Sequence, residues 1–253
     1  MVDTVDSKSA LSNRVLVRVQ SSALILVALM NFLQYDAIFF DFDGLLVNTE
    51  HLHFEAYRQM MLQNDASFPW DFPTFASVAH KSSTGLRKMI TAHAPKLVEQ
   101  KGWDTLYNEK KACYQALLKQ GCLELMSGAE EILNRVKESK IPHCVVTNST
   151  KEQVELIQEH LPILKQIPLW VTREDYDNPK PAPDGYLKAI ELLKASGKMV
   201  GFEDALRGIR SLQGAKIDPI LICSPDHPQM EEVSHEDFPH FSSFHQMLNS
   251  HFL

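Results

Sequence analysis

Paired cysteines are the first thing this sequence lacks. Its 253 residues hold four, Cys113, Cys122, Cys144 and Cys223, with no CxxC spacing among them. Cys144 and Cys223 fall in apolar runs that read as buried strands, so reduced core thiols are expected. Reduced thiols point in turn to a reducing, cytoplasmic compartment. A long apolar run is also missing. The stretch from Ala23 to Met30 falls far short of the roughly 20 residues a membrane-spanning helix needs. Arg14 and Arg18 ahead of it imitate a secretory signal, but no small-residue cleavage site follows. Positive charge is in deficit: 25 Lys and Arg against 32 Asp and Glu give a net charge of -7. That balance argues against non-specific binding to nucleic acid. No internal repeat and no low-complexity tract stands out. Neither nucleic acid nor membrane is an expected partner, and a monomer is the expected state.

What is present is the texture of a globular α/β protein. The chain is 44% hydrophobic and 23% charged, enough for one α/β domain or one domain carrying a smaller insertion. Met30 is a natural first residue, and residues 1–34 are expected to be an N-terminal extension, disordered or foreign to the native protein. Ala37-Ile-Phe-Phe40 is a short apolar run ending in Asp41, which reads as a buried strand. A helix is expected from about Thr49, with Phe54, Tyr57 and Met61 on one row and Leu52, Ala56 and Met60 on its neighbour. Residues 64–75 read as a turn-rich break. Helical patterns follow over about 84–94 and 103–118.

After Gly121 strands and helices alternate. Ser127-Gly-Ala-Glu130 has capping-box spacing ahead of a helix that buries Ala129, Ile132, Leu133 and Val136. Further strands are expected at His143–Val146, Leu169–Val171, Met199–Phe202 and Pro219–Ile222, with helices around Tyr186–Leu193 and Phe241–Leu248. Ser224 to His240, rich in Pro, His and acid, reads as a solvated surface segment. The alternation implies a doubly wound parallel sheet of Rossmann-like kind. Residues 35–50 and 120–253 would form that core, and the helical residues 51–119 a small inserted cap.

Ligands of open parallel sheets sit beyond the carboxyl ends of the strands. Asp41 and Asp43 follow the first strand, Thr147 and Asn148 the second, Lys180 the loop after the third, and Glu203 and Asp204 the fourth. Carboxylates gathered there would repel one another unless a cation shared them, and clustered oxygen ligands suit Mg²⁺. A calcium loop starting at Asp41 is excluded, because Leu46 and Leu52 stand where its Gly and Glu belong.

Four segments carry a family resemblance. Asp41-Phe-Asp-Gly-Leu-Leu-Val-Asn-Thr-Glu50, Val145-Val-Thr-Asn-Ser149, Lys180-Pro-Ala-Pro-Asp-Gly-Tyr186 and Gly201-Phe-Glu-Asp204 with Gly208 resemble, in order and spacing, the motifs of the haloacid-dehalogenase-like hydrolases. The branch resembled is that of the capped phosphatases and the beta-phosphoglucomutases. The resemblance implies a magnesium-dependent phosphoryl-transfer enzyme with Asp41 as covalent nucleophile, forming an aspartyl-phosphate. It implies that Asp41, Asp204 and the main-chain carbonyl of Asp43 hold the metal. The Asp43 side chain would then exchange a proton with the leaving oxygen and with water. Thr147 can donate to phosphoryl oxygens, with Asn148 beside it, and Lys180 brings a point charge that keeps the nucleophile ionised. Glu203 is either a ligand or an outer partner. Asn48 stands where the family usually has Asp, and a structural effect is expected from it.

His51 and His53 are the one suggestive histidine pair, but i and i+2 do not share a helix face, which argues against zinc. His53 stands where the beta-phosphoglucomutase branch has a hinge histidine. It is either packed at the hinge or engaged with substrate. Lys81, Ser82, Ser83 and Arg87 are the insertion residues placed to meet substrate, although a polar cluster before a helix is more often its cap. The expected function is a phosphatase acting on small sugar-type or nucleotide-type phosphate monoesters. A phosphomutase of the beta-phosphoglucomutase kind, or a non-catalytic phosphate-binding regulatory module, are the alternatives.

Overall fold

The computed structural model describes residues 34–81, 84–121, 123–233 and 235–250, so the expected extension falls, up to residue 33, outside the described residues. The four-residue run Ala37–Phe40 forms β1, fully buried along its whole length. Its side chains alternate between two cores. Ile38 and Phe40 join one cluster, Ala37 and Phe39 another, so both faces of the strand are covered, as a parallel sheet requires. Around it lie β2 (His143–Val146), β3 (Trp170–Val171), β4 (Met199–Glu203), β5 (Asp218–Ile222) and β6 (His240–Phe241). Every pairing is parallel, in the order β3-β2-β1-β4-β5-β6. This is a doubly wound α/β sheet, and β1 at its centre has β2 and β4 on either side.

Between β1 and β2 the chain runs through α1 (Glu50–Gln63), α2 (Phe72–Lys81), α3 (Gly85–His93), α4 (Pro95–Lys101) and α5 (Trp103–Lys119). Helices α1 and α5 lie against each other, burying Leu52, Ala56, Tyr57, Met60 and Met61 against Leu106, Cys113, Tyr114, Leu117 and Leu118. Helix α2 begins inside the stretch expected to be a break. Its Phe72 and Phe75 meet Phe54 edge-on, at 5.8 and 5.4 Å between ring centroids, so aromatic packing overrides the local turn chemistry.

The core then continues with α6 (Ala129–Ser139), α7 (Lys151–His160), α8 (Asp184–Leu193), α9 (Leu206–Gly214), α10 (Met230–Val233) and α11 (Phe244–Asn249). The box expected at Ser127 does not form. Gly128 is the N-cap of α6 at φ 81°, and no side chain caps it. A Cβ there would run into the backbone of Phe244 and His245, so close chain approach decides that turn. A true capping box sits instead at Thr150 and Gln153. The Ser224–His240 segment is not simply solvated, because Gln229, Val233 and Phe238 are buried within it. No helix among the described residues is long and apolar enough to cross a membrane.

Candidate active site

The ends of β1, β2 and β4 converge on one buried lysine. Lys180 follows β3 in a loop with a cis Lys180–Pro181 peptide. Its ammonium donates to Asp41 Oδ1, to Glu203 Oε1 at 2.6 Å and to Val146 O at 2.8 Å. Burial lowers its affinity for a proton, but the carboxylates of Asp41 and Glu203 more than reverse that and hold it cationic. Tyr186, one turn into α8, adds its hydroxyl to Glu203 Oε1. Glu203 is 1% exposed. Burial raises its carboxyl above the ordinary range, the charge of Asp41 adds to that, and Lys180 pulls it back.

Asp41, Glu203 and Asp204 each bring one oxygen to within 4.8 Å of the others. Burial, then the charges of Asp41 and Glu203, push the Asp204 carboxyl far above its usual range. A cluster so unfavourable to its own charges is a natural cation site, and hard carboxylate oxygens match Mg²⁺. Two glycines make room for these acids. A Cβ on Gly44, which sits at φ +82°, would overlap the Asp204 carboxylate, and one on Gly208 would overlap that of Glu203.

Asp43 lies beside this cluster in a cage of hydroxyls. Ser149 Oγ donates to it at 2.6 Å, Thr49 Oγ1 at 2.8 Å and Thr147 Oγ1 at 3.2 Å. Burial raises the Asp43 carboxyl, Ser149 counters this, and Asp41 adds to the rise. Thr147 is fully buried and also receives the Ser149 amide at 2.9 Å. Its hydroxyl is thus committed to Asp43 in this arrangement. Asn148 faces the cavity, its Oδ1 within 2.8 Å of the Tyr176 hydroxyl and 3.3 Å of Lys180 N. The Asn48 main-chain amide donates to Glu124 O at 3.0 Å.

A cavity of about 610 Å³ opens beyond the acids, between the sheet end and the helical insertion. Asp43, Asn148, Asp204 and Arg207 line its sheet side, and His53, Tyr57, Phe75 and Lys110 its helical side. His53 stacks on Tyr114 with 4.2 Å between ring centroids, and Lys110 Nζ lies 2.7 Å from His53 Nδ1. Burial, then the charges of Lys110 and Arg207, hold the imidazole well below its normal range and therefore neutral. His51 points elsewhere and stacks on Phe72. Arg87 lies over the Trp103 ring, 5.7 Å from its centroid, and does not line the cavity. Ser82, Ser83 and the Lys81 side chain lie outside what is described.

The residues that sequence reasoning passed over are Lys110, Tyr186, Ser149 and Thr49. Thr49, Ser149 and Tyr186 stood inside recognised motifs, at positions that read as apolar or incidental. Lys110 gave no local signal, because it looks like any helix-surface lysine until α5 is laid against α1.

The haloacid dehalogenase-like hydrolase family model matches residues 38–222. A validoxylamine A 7'-phosphate phosphatase of Streptomyces hygroscopicus subsp. limoneus is 27% identical over 184 residues, covering 72% of this chain and 83% of that protein. A (DL)-glycerol-3-phosphatase of Arabidopsis thaliana is 28% identical over 213 residues, covering 79% and 82%. Among solved structures, CbbY from Rhodobacter sphaeroides in complex with phosphate superposes with a TM-score of 0.67 at 22% identity, covering 84% of this chain and 96% of that one. That likeness speaks to the fold.

Proposed function

The chain belongs to the haloacid dehalogenase-like hydrolase family and is a phosphoric monoester hydrolase, and we propose that it cleaves small phosphorylated metabolites through an aspartyl-phosphate on Asp41, with magnesium. The observation that carries this reading is the Lys180 ammonium bonded to Asp41 and Glu203, with Asp204 in the same acid cluster. A lysine so placed holds the nucleophile in position and sets a positive charge where phosphoryl oxygens arrive.

Asp41, Asp204 and the main-chain carbonyl of Asp43 are the groups that would hold the metal. When bound, Mg²⁺ offsets the repulsion between a carboxylate nucleophile and a dianionic ester. Glu203 belongs one step behind, since its Oε1 already serves Lys180 and Tyr186. Asp43, held by Ser149, Thr49 and Thr147, is poised to protonate the leaving oxygen, its raised affinity for a proton suiting an acid. It would then take a proton from the water that attacks phosphorus, releasing the Asp41 carboxylate and inorganic phosphate. Asn148 and Thr147 border the phosphoryl position. Residues 51–119 act as the cap over a core of residues 35–50 and 120–253, excluding bulk water.

His53, neutral and fixed by Lys110 through Nδ1, is left with Nε2–H as a donor for the non-phosphoryl part of the substrate. Among the described residues Lys110 is engaged by His53, and Lys111, the other lysine lining the helical side, lies over the Tyr107 ring, which favours hydrolysis over mutase chemistry. The described thiols of Cys113, Cys144 and Cys223 are free, in keeping with a cytoplasmic enzyme. Phosphate release from a panel of sugar and nucleoside monophosphates, with Mg²⁺ and with EDTA, tests the reading. Equal turnover in both would overturn the metal requirement, and none in either would overturn the activity.

A further inference from the structure

The strap from Ser224 to Phe241 leaves the sheet after β5 and folds back over α9. Val233 and Phe238 pack with Ile209 and Leu221, and the Glu236 carboxylate accepts from Nη1 and Nη2 of Arg210. At the start of this strap Gln229 is 6% exposed, and its amide reaches the turn that bears Asp204. Nε2 donates to Asp204 O at 2.6 Å and lies 3.0 Å from Cys223 Sγ, while Oε1 accepts from Leu206 N at 3.1 Å. One orientation of the amide satisfies all three contacts.

Helix α9 needs this contact. Leu206 is its first residue, and the four leading amides of a helix have no partner within it. The N-cap position is Ala205, which has no oxygen to offer, and no side-chain cap is formed there. Gln229 supplies the acceptor from outside. In the same stroke it fixes the carbonyl of the residue whose carboxylate enters the acid cluster. Asp204 thus has its carboxylate in the space that Gly44 leaves open and its main-chain carbonyl bonded by Gln229.

We infer that Gln229 is a positioning residue for Asp204, setting the affinity of the acid cluster for a divalent cation from a strap that lies outside the four motifs. The inference rests on the reading of Asp204 as a metal ligand. Outer partners of metal ligands typically govern affinity by about 10- to 100-fold, because a ligand tilted by a fraction of an ångström no longer fits the coordination shell.

The test uses the full-length protein with Mn²⁺ as probe, its binding followed by electron paramagnetic resonance and calorimetry, beside thermal melts. Gln229→Ala removes the amide, and Gln229→Met removes it while keeping most of its volume. Both should weaken Mn²⁺ binding by about 10- to 100-fold at temperatures where circular dichroism shows them folded. Mn²⁺ affinity within twofold of wild type in the folded Met variant, whatever its Tm, would overturn the inference. Asp204→Asn is the separate control. If it binds Mn²⁺ as wild type does, the metal reading of Asp204 fails instead.

Discussion

The Lys110 ammonium and the His53 imidazole meet at 2.7 Å in the wall of the cavity, with no carboxylate among the described residues bonded to either. The amine lies 5.0 and 4.9 Å from the ring centroids of Tyr57 and Tyr114. Rings can favour a cation, yet burial wins, and the amine is brought down to about 7, the distant charge of Asp43 only partly opposing.

Stability should follow from that. An unfolded lysine titrates at about 10.4, whereas the folded Lys110 does so at about 7. Between these values the unfolded chain holds a proton that the folded chain does not, so stability rises with pH across the window. Below about 7 both states are protonated and the burial penalty is fully present. Lys110→Met should therefore raise Tm most at pH 6 and least at pH 10. Melts in which the substitution shifts Tm by the same amount at every pH would refute this.

Asp41→Asn should lower turnover by roughly 10⁴-fold or more, the scale on which a lost nucleophile is felt. The amide keeps the shape but cannot form the acyl-phosphate link. Circular dichroism and Tm should stay close to wild type, since one fewer charge sits in an already crowded acid cluster. Phosphate release within tenfold of wild type would remove Asp41 from its role.

Gly44→Ala should be damaging out of proportion to one methyl group. The residue sits at φ +82° and its new Cβ would fall on the Asp204 carboxylate, adding backbone strain of about 1 kcal/mol or more. Expected are a Tm several degrees lower and a raised magnesium requirement. A variant with wild-type metal dependence would show that Asp204 has slack the structure does not suggest.

The sheet and its acids were legible because each signal is local. A run such as Ala37–Phe40 buries itself, and the polar residue ending it must then face the strand-end crevice. What escaped was set by distant chain. Leu206–Gly214 becomes a helix whose start is capped by Gln229, and no pattern in either segment announces the other. Lys110 acquires its chemistry only when α5 delivers it to His53, 57 residues away. The strap after β5 looked solvated because its apolar residues are few, yet Val233 and Phe238 suffice to pin it.

The last prediction concerns who captures the phosphoryl group. If the helical cap only shields the site, water cleaves the acyl phosphate, and a sugar phosphate should release inorganic phosphate steadily. If the cap instead holds a bisphosphate, release should be slow, an isomeric sugar phosphate should accumulate, and a catalytic bisphosphate should accelerate the reaction. The geometry favours water, because of the two lysines that line the helical wall Lys110 is bonded to His53 and its proton loosened by burial, while Lys111 lies over the Tyr107 ring. His53→Ala serves as the companion measurement. Removing a donor that only orients the leaving group should cost a hydrolase about tenfold, whereas a proton-transfer role in a mutase would cost about 10²- to 10⁴-fold. Steady phosphate release with a modest His53→Ala defect is the expected pair of results. Conversion of a hexose 1-phosphate to its 6-phosphate without phosphate release would overturn the hydrolase reading and leave only the Asp41 chemistry in place.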